Sequence, residues 1–314
     1  MGIPYLNSYI KKNTRIDAIK QIQLSTLSGK IIVIDTSIYL YRFMGEGLLL
    51  ENMYIMISLF RYYNIIPIFV FDGKAPLEKT KLLEKRNKDK IMAETQYNRV
   101  KDQMLTITNN DEYQELSRNL LSLKKKFIRL HRNDIIKVKE LMSAFGVTFI
   151  EATGEADQLC AKLVIKKYAY ACLSEDMDLF VYGCPRVLRY LSLLNETVII
   201  YYLDKILEDL QLTYNEFKEI CILSGTDYNN NDINLLEAIE YFKAFKEKNL
   251  NIEFYSWLDN IAGDEINIYE LYNAYNMFII DNLSVKNYKT INLIKPINYE
   301  KIKELMIPEG FIFL

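Results

Sequence analysis

Three stretches of the chain share one pattern, an unbroken apolar run that ends on carboxylates. Ile31-Ile-Val-Ile leads to Asp35, Ile68-Phe-Val-Phe leads to Asp72, and Ala169-Tyr-Ala-Cys-Leu173 leads to Ser174, Glu175, Asp176 and Asp178. Short runs without polar alternation predict strands buried on both faces, as in a parallel sheet. Between the first two runs, Ser37 to Phe43 is amphipathic, Gly45 and Gly47 mark a break, and residues 52–63 carry Met53, Ile57 and Phe60 at helical spacing. This is a β-α-β pattern. Residues 1–30 are mixed, with Gly29-Lys30 as the turn into the first predicted strand.

After Gly73 the apolar pattern stops until Val147-Thr-Phe-Ile150. Residues 74–104 and 112–141 are charged and helix-favouring, and 106–111 is a polar turn between them. So long an excursion between two sheet strands points to a functional insertion. On an ideal helix Lys79, Leu83, Arg86 and Lys90 follow i, i+4, i+7, i+11, which puts Lys79 and Arg86 on one face. A solvated helix with Glu/Lys pairs accounts for the spacing equally well.

Beyond Ile150, Glu155 and Asp157 open a helix with apolar Ala156, Leu159, Cys160, Leu163 and Val164. Acids at a helix N-terminus need no more than the helix dipole to explain them, and on an ideal helix these two point ~200° apart. Arg186–Leu191 and Thr197–Tyr202 read as a hairpin. Thr213-x-x-Glu216 is a capping box that opens a helix ending at Ser224-Gly225. The remainder is helix-rich, and 250–314 shows no clear pattern. The expected fold is α/β: a mostly parallel central sheet flanked by helices. A helical arch (about 74–140) interrupts a core over 1–228, and a helical C-terminal region spans 229–314.

Half of the 314 residues are hydrophobic, enough for a full core. Cys160, Cys172, Cys184 and Cys221 lie in apolar contexts without CxxC pairing, as reduced thiols of an intracellular protein would. No signal peptide or membrane-length apolar run is evident, and Leu6 stands where a myristoylation motif needs Ser or Thr. The net charge of −2 hides an asymmetry: residues 74–139 hold 17 Lys and Arg against 9 Asp and Glu. A basic segment on an acidic body suits a protein that grips a polyanion in one place.

Strand-end acids gather where ligands bind in parallel α/β sheets. If the three strands are neighbours, Asp35, Asp72, Asp176 and Asp178 converge. Hard oxygen donors without His or Cys suit Mg²⁺ or Mn²⁺ rather than zinc. A single strand-end Asp is more simply a turn former or helix cap; three strands ending alike favour a metal site.

Several motifs follow one another in order: Met1-Gly2-Ile3, Ile34-Asp35-x-Ser37-x-x-x-Tyr41, Val70-Phe-Asp72-Gly-Lys74-x-Pro76, Gly154-Glu155-Ala-Asp157, Ser174-Glu-Asp-Met-Asp178 and Gly225-Thr-Asp227-Tyr228. In these the chain resembles the flap endonuclease/XPG-type family of structure-specific 5′ nucleases, cellular or from large DNA viruses, from residue 1 to about 228. The resemblance implies a PIN-like nuclease fold in which Asp35, Asp72, Glu155, Asp157, Asp176, Asp178 and Asp227 match seven metal-site acids. Asp157 stands where Glu is usual. The resemblance also implies that Lys79 and Arg86 are the basic pair of the arch, meeting the scissile phosphate as catalytic residues alongside Asp176 and Asp178. Tyr41 matches an aromatic on which a base stacks, and Gly2 a residue whose freed amino terminus packs near the site. Lys74 and Lys90 complete the DNA-binding set.

Two features depart from the family. Residues 229–236 lack the glycines of its duplex-gripping turn, which implies a weaker hold on duplex and no potassium site. The C-terminus has no basic tail or sliding-clamp motif. The stretch from Asp35 to Asp72 is also short. The expected protein is a monomeric, Mg²⁺-dependent 5′ nuclease with two ions, Mn²⁺ substituting. It acts on flapped, nicked or branched DNA in replication, repair or recombination, with no membrane role. The expected location is the nucleus, or a cytoplasmic replication site for a viral member. A non-catalytic DNA-binding scaffold is the leading rival, and a single-Asp phosphotransfer domain is a second. The motifs do not separate flap cutting from exonuclease or junction cleavage.

Overall fold

The computed structural model describes residues 2–104, 110–229, 233–262, 266–280, 285 and 295–313. They fall into two compact units. The first comprises residues 1–36, 57–74 and 147–295, and the second residues 37–56, 75–146 and 296–314.

Among the described residues, the first unit holds a seven-stranded mixed sheet. Its strands are β1 (Ile19–Gln23), β2 (Ile31–Asp35), β3 (Ile66–Phe71), β4 (Thr148–Glu151), β5 (Ala171–Leu173), β6 (Arg186–Ser192) and β7 (Thr197–Tyr202), in the order β1-β7-β6-β5-β2-β3-β4. The five strands from β6 to β4 are parallel; β7 and β1 extend the sheet antiparallel. The three strands with acidic ends are therefore neighbours, as the expectation required. Central β2 is covered on both faces, and Ile32, Val33 and Ile34 are buried. Each contributes about 1.5–3 kcal/mol relative to exposure. The edge strand β1 was not legible: Ile19-Lys-Gln-Ile-Gln has too little apolar content to announce a strand.

The helices are α1 (Leu6–Asn13), α2 (Thr36–Glu46), α3 (Leu49–Tyr62), α4 (Thr80–Met104), α5 (Asn110–Lys126), α6 (Arg132–Ala144), α7 (Ala156–Ile165), α8 (Asp178–Val181), α9 (Leu203–Leu210), α10 (Tyr214–Leu223), α11 (Leu235–Glu247), α12 (Phe254–Ala262), α13 (Ile268–Met277) and α14 (Tyr299–Met306). The capping box at Thr213 forms as expected. Thr213 Oγ1 accepts from Glu216 N (3.3 Å), and Glu216 Oε2 accepts from Thr213 N (2.8 Å). The core of the first unit continues from α7 and α8 into α10–α13 through Phe217, Phe242, Phe254, Trp257 and Phe278.

Glu219 on α10 lines a cleft of about 510 Å³ with residues of α11, α12 and α13. Burial, aided by Glu216 and Glu253 and opposed by Lys218, pushes its carboxyl up to about 7. Its folded value lies above the unfolded one. Its contribution to stability is therefore greatest in acid and is lost as pH rises through 7. Glu219→Gln is expected to stabilise the protein at pH 8 by on the order of 1 kcal/mol, discounted for partial exposure, with the gain shrinking at pH 5. Denaturant melts at the two pH values measure it.

In the second unit α4 and α5 form a helical hairpin, held by Arg129 Nη2 to Glu94 Oε2 at 2.8 Å and by Tyr97 edge-on to Phe127 at 5.3 Å. The limb expected as one helix over 112–141 is two, α5 and α6, separated at residues 127–131. His131 and Asp134 form a capping box that starts α6. The C-terminal segment joins this unit. Asn298 N donates to Ala144 O (2.7 Å), Lys137 pairs with Glu309 (2.7 Å), and Tyr54 packs against Phe145, Phe311 and Phe313. Residues 147–295, on both sides of 228, lie in the first unit.

Candidate active site

The sheet order changes direction at β2. The chain steps from β2 to β3 and β4 on one side, then returns to place β5 and β6 on the other. Such a switch point opens a crevice at the carboxyl ends of the strands. Register fixes what lines it. Asp35 pairs with Val70 of β3, and Ile34 pairs with Leu173 of β5, so Asp35 and Ser174 end side by side.

From Ser174 the side chains take up successive backbone donors and stop the strand. Ser174 Oγ donates to Asp35 Oδ2 (2.9 Å) and accepts from Asp176 N (3.1 Å). Asp176 Oδ1 accepts from Asp178 N (3.0 Å), and Asp178 opens α8. Asp35 and Asp176 are buried, and Asp178 is only 1 % exposed. Gly2 lies directly against this turn: a Cβ there would press on Oδ1 of both Asp176 and Asp178. Its φ of +70° also suits glycine. Arg189, unnoticed in the sequence, is a buried cation here. It donates to Glu175 O (2.9 Å) and to Asn7 Oδ1 (2.7 Å).

Asp72 follows β3 and accepts from Ala156 N (2.9 Å), a cap supplied to α7 from another strand. Glu155 is the N-cap residue of α7, and buried Asp157 accepts from Gln158 N (2.7 Å). Because Glu155 stands outside the helix proper, the angle that an ideal helix would set between it and Asp157 does not apply. Asp227 sits in a turn closed by buried Asn229, whose Oδ1 accepts from Thr226 N (3.2 Å) and Oγ1 (2.6 Å) and whose Nδ2 donates to Ile222 O (2.8 Å). Tyr228 joins that turn to the acids, donating to Glu155 Oε2 (2.5 Å). Burial, then nearby Asp157 and Glu155, raises its hydroxyl well above the ordinary range, so it stays a donor. The sequence signal for Tyr228 was its place in the Gly225-Thr-Asp-Tyr motif.

All seven acids, with Gly2 and the exposed Lys74, belong to the first unit. Among the described residues, no three Asp, Glu, His or Cys side chains are arranged to enclose an ion. Asp72, Glu155, Asp157 and Asp176 each accept a hydrogen bond from the chain itself. The donor set nevertheless fits divalent cations. Buried like-charged carboxylates repel one another unless a cation offsets them, and hard oxygens bound partly through water suit Mg²⁺. The thiols do not compete: burial raises Cys172 and Cys184 well above the ordinary range and pushes Cys160 up to about 11.

Lys79, Arg86 and Lys90 lie in the second unit. Lys79 ends a 3-10 turn (Leu77–Lys79) that runs directly into α4, so it stands just outside the helix that carries Arg86. Lys79 is buried at 6 % exposure, whereas Arg86 is exposed. Lys90 Nζ stands 5.0 Å from the centre of the Tyr41 ring, and both line a cleft with Arg42, Lys125 and Lys126. Residues 230–232 lie outside the described residues, and with them the expectation of a missing potassium site. Asn234 caps α11, accepting from Leu236 N (3.0 Å) and Glu237 N (3.2 Å). Leu235 is buried, but Leu236 is 62 % exposed and is not a core residue.

Two family models match, the XPG N-terminal domain over residues 1–93 and the XPG I-region over 146–227. The chain is 32% identical to a flap endonuclease 1 of Heterostelium pallidum over 73% of its length and 61% of the relative's. It is 30% identical to that of Candida tropicalis, over 82% of the chain and 71% of the relative. The first of these, with flap endonucleases of Trypanosoma and Leishmania matched over 56% of their length, extends well beyond what this chain covers. Among solved structures, the catalytic core of Rad2 in complex with DNA substrate is similar at TM-score 0.68 and 18% identity, covering 99% of this chain and 96% of that one. The Holliday junction-resolving enzyme GEN1 in complex with product DNA and Mg²⁺ is similar at 0.60 and 18%, covering 95% and 72%. At these identities the likeness shows the fold.

Proposed function

This chain belongs to the flap endonuclease/XPG family, and from that premise we propose that it is a divalent-metal-dependent, structure-specific 5′ nuclease that hydrolyses phosphodiesters of flapped, nicked or branched DNA. The observation that carries the reading is the buried run from Asp35 through Ser174 to Asp176 and Asp178 at the sheet's switch point. A scaffold that only bound DNA would gain nothing from keeping these repelling acids buried.

Asp35, Asp176 and Asp178 would hold Mg²⁺, with Asp72, Glu155, Asp157 and Asp227 contributing directly or through water. A pair of such ions, when bound, would supply an activated water and charge stabilisation for the leaving oxygen. The chain's own residues do the rest. Ser174 orients Asp35, and Asp178 N orients Asp176. Arg86 and Lys79 offset charge building on the phosphate. Tyr41 offers an aromatic face to a base, beside the cation of Lys90.

A gel assay on end-labelled flap, nicked and junction DNA, with Mg²⁺ and with EDTA, tests the reading. Metal-dependent cleavage of at least one substrate is expected, and inertness on all three would overturn it. Arg86→Ala is expected to slow single-turnover cleavage by about 10²-fold while weakening DNA binding much less. Lys79→Ala should do the same but also lower the melting temperature, because that side chain is buried. An Arg86→Ala defect confined to binding would reduce that residue to an ordinary phosphate contact.

A further inference from the structure

Tyr228, Tyr182 and Gln158 form a polar group beside the acids of the first unit. The two hydroxyls are 2.5 Å apart, and Gln158 Nε2 lies 3.3 Å from each. Both rings are buried, and Phe278 of the α13 C-terminus packs on them, 4.7 Å from Tyr182 and 5.2 Å from Tyr228 between centroids. The direction of the hydrogen bonds is fixed by what each atom can do. The Gln158 amide nitrogen only donates, so both hydroxyl oxygens accept from it. Tyr228 gives its own proton to Glu155 Oε2. The Tyr182 proton is then directed to the Tyr228 oxygen, and the chain of donors ends on one carboxylate.

We propose that Tyr228 is a positioning residue for Glu155, and that Tyr182 and Gln158 aim its hydroxyl. The inference rests on the metal-binding part of the function proposed above. Glu155 sits at an N-cap with extended backbone (ψ 144°), where no helical turn limits its side chain. The hydrogen bond from Tyr228 ties it to the 226–229 turn that carries Asp227. The same hydroxyl therefore sets the spacing between two of the seven acids that come from distant parts of the chain. Partners of this kind around metal-binding carboxylates are worth about 10–100-fold in metal affinity or activity.

Tyr228→Phe keeps the ring and its contact with Phe278 and removes only the hydroxyl. The readouts are Mn²⁺ binding by electron paramagnetic resonance on the full chain without DNA, the melting temperature in EDTA, and single-turnover cleavage. Mn²⁺ binding is expected to weaken by about 10-fold, and cleavage at limiting Mg²⁺ to fall by a similar factor that excess Mg²⁺ partly restores. In a Glu155→Gln background, Tyr228→Phe should add little to either, because residues acting through one group are not additive. Tyr182→Phe, one bond further out, should show a smaller effect of the same kind. It also serves as the second variant if Tyr228→Phe melts far below wild type. Wild-type Mn²⁺ affinity in both tyrosine variants would overturn the inference alone, as would full additivity with Glu155→Gln. A wild-type protein that binds Mn²⁺ but cuts no DNA would overturn the nuclease reading and leave the positioning role standing. Failure of the wild type to bind Mn²⁺ would overturn both.

Discussion

Asp178→Asn is expected to reduce DNA cleavage by about 10³-fold or more while leaving the protein folded. The substitution keeps the shape of the side chain and removes one charge. Asp178 is almost wholly buried, follows two residues after Asp176, and has Gly2 packed against it. An amide there cannot offset a divalent cation as a carboxylate does, so loss of the charge should act on metal binding before it acts on the fold. The same change relieves repulsion among Asp35, Asp176 and Asp178. In EDTA the variant should therefore melt at or above the wild-type temperature, and Mg²⁺ should raise that temperature less than it does for wild type. Cleavage within a few-fold of wild type at ordinary Mg²⁺ would sink the assignment of this acid. A lower melting temperature in EDTA would instead make the carboxylate a structural partner.

Gly73→Ala is expected to damage both stability and activity. Gly73 N donates to Gly154 O (2.7 Å), which draws the segment after β3 against the segment after β4. A Cβ at Gly73 would overlap the carbonyl oxygen of Ala152 and stand 2.9 Å from the carbonyl carbon and oxygen of Thr153. These are backbone atoms, and Ala152 N is itself bonded to Phe71 O (2.9 Å), so no flexible side chain can yield. Accommodating the methyl means moving the loop that carries Glu155 away from Asp72. The cost expected of such overpacking is about 2–4 kcal/mol, read as a melting temperature lower by roughly 4–12 °C. Cleavage measured well below the melting point should still fall by about 10-fold or more, because the loop displacement persists in the folded protein. A melting temperature within a degree of wild type would mean that the two segments are not so closely joined.

What the sequence determined by itself was the local chemistry. Short apolar runs without alternation read as strands covered on both faces, so β2, β3 and β5 and their acidic ends were readable, as was the Thr213 capping box. The motif order from Gly2 to Tyr228 identified the family because several kinds of residue had to agree at once. The tertiary structure decided what depends on neighbours distant in the chain. Strand order places β5 beside β2, and only that adjacency brings Ser174 to Asp35. The edge strand β1 draws its order from pairing with β7, not from its own apolar content. Lys79 is buried in the 3-10 turn before α4 whereas Arg86 is exposed on α4, a difference in burial that helical periodicity does not carry. Residues 296–313 dock on Ala144 and Lys137 of α6 and on Tyr54 of α3, partners more than a hundred residues away. Tyr228 was visible as a letter in a motif. Its hold on Glu155 exists only because packing brings α7, α8 and the turn after α10 together around Phe278.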